Sequence, residues 1–119
     1  MQISKIEKVL LGALYAEYLN RLSHGVPFDS ANFFSNSDSV QESFCPKLSK
    51  ETVADLCWHL CDRGLLNCLP GDDLANDISI TFAGLAYLEQ EYPQGLSQLL
   101  KIAKPLWDIF LGVSSFLKQ

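Results

Sequence analysis

The N-terminal part of the chain repeats apolar side chains with the period of an α-helix. One helical face carries residues spaced at steps of three and four: Ile6, Val9, Leu10, Ala13 and Leu14. A second apolar stripe runs beside it: Leu11, Tyr15, Tyr18 and Leu22. The pattern predicts a helix over about residues 3–22 that packs against neighbours on two sides. Gly25 suits the left-handed position just past a helix end, and Pro27 prevents continuation.

Residues 25–49 have the least regular pattern and are rich in serine. Asp29 is a candidate cap for a short helix through Phe34. Ser39 and Glu42 have the spacing of a capping box for another short turn. A short extended piece is predicted at residues 26–28, and residues 35–44 are interpreted as a serine-rich insertion.

Residues 49–81 predict a helix followed by a β-hairpin. Ser49 is a natural N-cap, Glu51 lies favourably in the first turn, and Gly64 ends the helix. The apolar face of this helix consists of Val53, Leu56, Cys57, Leu60 and Cys61. Residues 65–69 and 78–81 read as strands, and residues 70–73 as the turn between them.

The remainder of the chain predicts two helices, over about residues 82–91 and 95–117. The second has a heptad seam: Leu96, Leu99, Ala103, Leu106, Phe110, Val113 and Leu117. Pro105 either kinks this helix or starts another at a favoured first-turn position. Further apolar residues widen the seam beyond what one neighbour can cover, so a homodimer is predicted. Its contacts would come from Leu99, Leu106, Trp107, Phe110, Val113 and Leu117.

This order of elements predicts a mainly α fold with a small β-hairpin wing, and it resembles a winged helix-turn-helix domain. Residues 48–66 (LSKETVADLCWHLCDRGLL) look like the second helix of that motif running into the first wing strand. Residues 80–89 (ITFAGLAYLE) are similar to the segment after the wing in small bacterial and phage winged-helix proteins, including the YjcQ-type family. The resemblance implies a winged-helix domain over residues 1–94, with its wing at residues 69–78. Residues 95–119 would then pack on this domain, on a second subunit or on both.

Charge separates two possible functions for such a fold. Residues 50–91 contain eight acidic side chains and two basic ones, whereas neutralisation of phosphates by Lys and Arg supplies most of the affinity for DNA. The predicted recognition helix and wing therefore have an acidic face: Glu51, Asp55, Asp62, Asp72, Asp73 and Asp77. We expect a non-catalytic protein-interaction module with an unidentified, basic protein partner. The alternative is a DNA-binding transcriptional regulator, which the resemblance favours and the charge disfavours.

Composition bounds the other possibilities. A chain of 119 residues with 48% hydrophobic residues and a net charge of −5 is expected to form one globular domain. It shows no export-signal pattern and no apolar run long enough for a membrane span, so the cytoplasm and reduced cysteines are expected. His24 and His59 accompany no nucleophile motif or phosphate loop. We therefore expect no catalysis and no cofactor.

Two weak metal patterns have simpler interpretations. Cys57 and Cys61 share the apolar face of their helix, where a free thiol behaves as a small hydrophobe rather than as a zinc ligand. Asp55, His59 and Asp62 share one side of the same helix, which is interpreted as a solvated polar face rather than a cation site.

Overall fold

The computed structural model describes residues 2–112 of the chain. Within this range the elements are α1 (Lys5–Ser23), α2 (Phe28–Ala31), α3 (Ser37–Phe44), α4 (Lys50–Asp62), β1 (Leu66–Gly71), β2 (Leu74–Ile80), α5 (Phe82–Glu91), α6 (Leu96–Ile102) and α7 (Lys104–Leu111). The fold is mainly α with a small antiparallel two-stranded hairpin, as predicted. None of the described helices has both the length and the apolar character required to cross a bilayer.

The helix α1 is the central element of the core. The Ser4 hydroxyl accepts a hydrogen bond from the backbone N–H of Glu7, whose carboxylate accepts one from the N–H of Ser4. This reciprocal capping box begins the helix. Both predicted apolar stripes are buried over most of their length, against α2, α3, α5, α6 and α7. The prediction that α1 packs against more than one neighbour is confirmed.

The serine-rich residues form a regular helix, α3, which packs on α4. The predicted caps in this region are wrong. Asn36, not Ser39, caps α3, because its side chain accepts a hydrogen bond from the Ser39 N–H at 2.9 Å. Asp29 lies in the first turn of α2, whose N-cap position is held by Pro27. The helix α3 therefore belongs to the regular helical part of the fold, directly before α4 in the chain.

The predicted extended piece at residues 26–28 is wrong at Phe28, which begins α2. The segment that pairs with the hairpin follows that helix, at residues 32–35. The N–H of Phe34 donates to the carbonyl of Ile78 at 2.8 Å, and the N–H of Ile78 donates to the carbonyl of Ser35 at 2.9 Å. The Asn32 side chain continues this pairing by bonding both the N–H and the carbonyl of Ile80. The strand β2 therefore has partners on both sides, β1 and residues 32–35.

The hairpin is closed by a two-residue turn and contains a bulge. Asp72 and Asp73 occupy the turn with φ of 53° and 60°, which is the left-handed geometry of a tight hairpin turn and is narrower than the predicted turn. The register shifts between Asn67 and Leu69. Opposite that shift Asp77 has φ of 51°, the left-handed first residue of a bulge. Aspartate tolerates this conformation better than most residues.

The C-terminal region is two helices rather than one. Pro105 lies in the first turn of α7, so it starts a second helix rather than kinking a continuous one. The prediction of a continuous helix to residue 117 is wrong, because α7 ends at Leu111 and Gly112 takes a left-handed conformation with φ of 80°. Lys47 then caps α7: its N–H donates to the carbonyl of Leu111 at 3.0 Å, and its ammonium donates to that of Ile109 at 2.6 Å.

Candidate functional site

The structure distributes the six predicted acidic residues over several places on the surface. All of them are exposed: Glu51, Asp55, Asp62, Asp72, Asp73 and Asp77. Glu51, Asp55 and Asp73 share one groove, whereas Asp77 lines another. Asp62 lies at the C-terminal end of α4, and Asp72 lies at the tip of the hairpin. The predicted acidic face is therefore not continuous, and three of its six residues share one groove.

We call this first groove, of about 350 Å³ between α3, α4 and the hairpin turn, the acidic groove. It is lined by Asp38, Lys50, Glu51, Ala54, Asp55, Trp58, Asp73 and Leu74. Sequence reasoning missed Asp38, because residues 35–44 were interpreted as an insertion and only a short turn capped by Ser39 was predicted there. Lys50 is the basic residue of the lining, and its ammonium lies 3.5 Å from Glu42 and 4.0 Å from Asp38. Glu51, Asp55 and Asp73 have no such cation beside them in the lining.

Packing of α4 determines which carboxylates reach the acidic groove. The helix begins at Ser49, whose hydroxyl accepts a hydrogen bond from the Thr52 N–H at 3.0 Å. Its buried residues are Val53, Leu56, Cys57 and Leu60. Glu51 and Asp55 are four residues apart and share the opposite side. Asp62 continues that stripe, but it lies seven residues beyond Asp55, about 10 Å along the helix axis.

Trp58 adds an aromatic surface to the acidic groove. Its side chain is half-buried and lies on the α4 stripe that carries Asp55. An aromatic ring beside carboxylates is suited to contact the cationic side chains of lysine and arginine. The groove therefore offers both charge and stacking to a basic ligand.

The four predicted dimerisation residues that the structure describes separate into two groups. Leu99 and Trp107 are fully buried, on helices that pack against α1, so they belong to the core of this chain. A Cβ added at the α1 residue Gly12 would lie 3.8 Å from Leu99 and 3.9 Å from Trp107, which are ordinary van der Waals distances, so both side chains pack closely on α1. Leu106 and Phe110 are half-buried. Val113 and Leu117 lie outside the described residues.

An apolar surface remains on the outside of the two C-terminal helices. Ile102 on α6 is 54% exposed and Ile109 on α7 is 59% exposed, and the half-buried Leu106 and Phe110 also lie on α7. A groove of about 560 Å³ lined partly by Ile102 and Leu106 runs between α1, α5 and α6. We call Ile102, Leu106, Ile109 and Phe110 the outer face of α6 and α7.

Three of the four thiols offer no activated nucleophile. Cys45 and Cys57 are fully buried, and burial raises the pKa of Cys45, Cys57 and Cys68 to about 12. These three groups therefore stay protonated near neutral pH. Among residues 2–112, no group of three or more His, Cys, Asp or Glu side chains is arranged to hold a metal ion.

His59 and Arg63 flank a buried carboxylate at the end of α4. Each lies 3.8 Å from the second carboxylate oxygen of Glu7, a residue that is 3% exposed. Burial opposes ionisation of Glu7, but hydrogen bonds from Ser4 and the charges of Arg63 and His59 outweigh it, so the pKa of Glu7 is lowered. This cluster ties α1 to α4.

Comparisons with known proteins do not extend this description. No protein-family model, no curated protein and no solved structure matches the chain. The geometry of the described surfaces is therefore the basis of the functional argument.

Proposed function

We propose that this protein is a non-catalytic winged-helix interaction module whose acidic groove binds a basic surface of a partner protein. The observation that carries the proposal is the set of carboxylates contributed by α3, α4 and the hairpin turn to one groove: Asp38, Glu51, Asp55 and Asp73. In a DNA-binding winged helix this region would face phosphates and would need basic side chains. The same position here favours a cationic ligand.

A homodimer is the second part of the proposal. The outer face of α6 and α7 exposes apolar side chains that a soluble monomer usually covers. Because Leu99 and Trp107 are occupied within the chain, the dimer contact would come from Ile102, Leu106, Ile109 and Phe110. The acidic groove lies on other elements, so each subunit of such a dimer could bind a partner independently.

The binding test compares two triple variants with the same net charge. One neutralises the acidic groove, by Glu51→Gln, Asp55→Asn and Asp73→Asn. The probe is a fluorescein-labelled peptide of ten lysines, followed by fluorescence anisotropy. We expect this variant to bind the probe about tenfold more weakly than the wild type, since three exposed ion pairs together are worth about 1–2 kcal/mol.

The matched control neutralises three exposed carboxylates outside the acidic groove, by Asp62→Asn, Asp72→Asn and Asp108→Asn. It should bind the probe nearly as well as the wild type. An equal loss of affinity in both variants would mean that only the net charge of the protein matters, which contradicts binding at the acidic groove.

DNA binding, the alternative function, is tested in parallel. Wild-type protein should not retard random duplex DNA in a gel at physiological salt, because the acidic groove repels phosphates. Retardation at micromolar protein that weakens as salt rises would contradict the proposal and favour a DNA-binding regulator.

A further inference from the structure

Three exposed phenylalanines surround a second groove, of about 300 Å³ between α2, the hairpin and the start of α5. Phe28 is 42% exposed, Phe33 is 46% exposed and Phe82 is 81% exposed. We call this the aromatic groove. Large exposed aromatic side chains in one place are uncommon on a soluble surface and are typical of an interaction site.

Contacts with the core hold two of these rings in place. The ring of Phe82 stacks on that of Phe28 with 6.4 Å between centroids and 17° between planes. Phe28 in turn meets the buried Tyr18 edge to face, at 6.1 Å. Phe28 and Phe82 are therefore connected to the core through a continuous series of ring contacts. A ligand would meet aromatic surfaces that are already positioned, which lowers the entropic cost of binding.

The charged residues of the aromatic groove are both acidic. Asp29 and Asp77 line it, and the lining contains no Lys or Arg. The bulge in β2 fixes the backbone of Asp77 in the left-handed conformation. Arg21 bonds the carbonyl of Phe33 at 2.8 Å, but its guanidinium also pairs with Glu17 at 3.1 Å. Its charge is already compensated, so the two aspartates are left to attract a cation.

We propose that the aromatic groove binds an arginine-containing segment of a partner protein. A guanidinium is planar, so it can lie on a phenylalanine face and at the same time donate paired hydrogen bonds to a carboxylate. Lysine would form the charge contact without the stacking or the paired geometry. The aromatic groove shares no lining residue with the acidic groove. This inference therefore goes beyond the proposed function and stands or fails independently of it.

The test uses a fluorescein-labelled eight-residue peptide that has two arginines flanked by leucines. A second peptide has citrulline, a neutral isostere, in place of arginine. We expect the arginine peptide to bind and the citrulline peptide to bind at least about tenfold more weakly, because its charge-assisted hydrogen bonds and its cation–π contact are lost. Phe82→Ala and Asp77→Asn should each raise the dissociation constant about three- to fivefold.

Each substitution has a control at an exposed residue outside the aromatic groove. Asparagine also tolerates a positive φ, and Asp72, with φ of 53° at the hairpin tip, lies outside the groove, so Asp72→Asn controls for Asp77→Asn. Leu69→Ala, at a side chain that is 57% exposed, controls for Phe82→Ala. Circular dichroism and thermal unfolding verify that each variant is folded.

The outcomes separate this inference from the proposed function. Loss of binding in the Phe82 and Asp77 variants alone supports the aromatic groove. Equal binding of both peptides overturns the inference, as does no binding of the arginine peptide at millimolar concentration. Binding that is lost only in the triple variant of the acidic groove also overturns it, because the peptide would then occupy the other site.

Discussion

The side chain of Asn32 joins the helical core to the hairpin, and its replacement by alanine is a sharp test of the fold. Its Nδ2 donates to the carbonyl of Ile80 at 2.9 Å, and its Oδ1 accepts from the N–H of Ile80 at 2.8 Å. Asn32 is 8% exposed and Ile80 is 2% exposed, so water cannot replace the lost amide easily. Each buried backbone group left without a partner costs about 1–3 kcal/mol. We therefore expect Asn32→Ala to lower the free energy of unfolding by about 2–5 kcal/mol.

Urea denaturation followed by circular dichroism measures this loss. With an m-value of about 1–3 kcal/mol per M, a loss of about 3 kcal/mol moves the midpoint by about 1–3 M. The matched control is Asn67→Ala, because the amide of Asn67 bonds the Ser79 hydroxyl at 3.0 Å on the exposed side of the hairpin. That change should cost less than about 0.5 kcal/mol.

The substitution Asn32→Asp tests the same two hydrogen bonds through the pH dependence of stability. At neutral pH the buried carboxylate can accept from the N–H of Ile80, but it repels the Ile80 carbonyl, so this variant should also be strongly destabilised. Burial would raise the pKa of the new carboxyl in the folded state, and the penalty should shrink as pH falls and the group becomes a neutral donor and acceptor. Two results would refute this pair of hydrogen bonds. One is that Asn32→Ala lowers the free energy of unfolding by less than about 0.5 kcal/mol. The other is that Asn32→Asp does not become more stable relative to Asn32→Ala as pH falls.

Three further predictions concern packing, pH and assembly. Gly84→Ala should destabilise by about 1–3 kcal/mol, because a Cβ there would overlap the carbonyl oxygen of Leu65. The ionised Glu7 should stabilise the fold above about pH 5 and lose this contribution as pH falls through its lowered pKa, so the stability gap between wild type and Glu7→Gln should shrink in acid. Light scattering should show a wild-type dimer at micromolar concentration and a folded monomer for Ile102→Asp combined with Ile109→Asp.

Each of these three predictions has a control or a contrary result. Gly12→Ala is also a helical substitution, but its Cβ would meet atoms no closer than 3.8 Å, so it should be neutral or stabilising by up to about 1 kcal/mol. If the difference in unfolding free energy between the wild type and Glu7→Gln stays constant from pH 7 to pH 3, Glu7 acts only as a hydrogen-bond acceptor. Leu69→Asp, on the hairpin, should leave the dimer intact. A wild type that stays monomeric at hundreds of micromolar would end the dimer hypothesis.

The sequence by itself determined the elements whose signals are local. The apolar period of α1, the Ser49 cap of α4 and Gly25 beyond the first helix each act within a few residues, so the pattern located these features well. Alternation with a turn likewise predicted the hairpin. Charge along the chain also predicted acidic side chains at the surface of α4 and the hairpin.

Only the tertiary structure decided which residues meet. Asp38 reaches the acidic groove because α3 packs on α4, and Asn32 serves as a strand partner because β2 lies beside it. Leu99 and Trp107 enter the core of their own chain, because α6 and α7 pack against α1. In each case the partner is distant in sequence, and a periodic pattern records that a side chain is apolar or polar but not which surface it will contact.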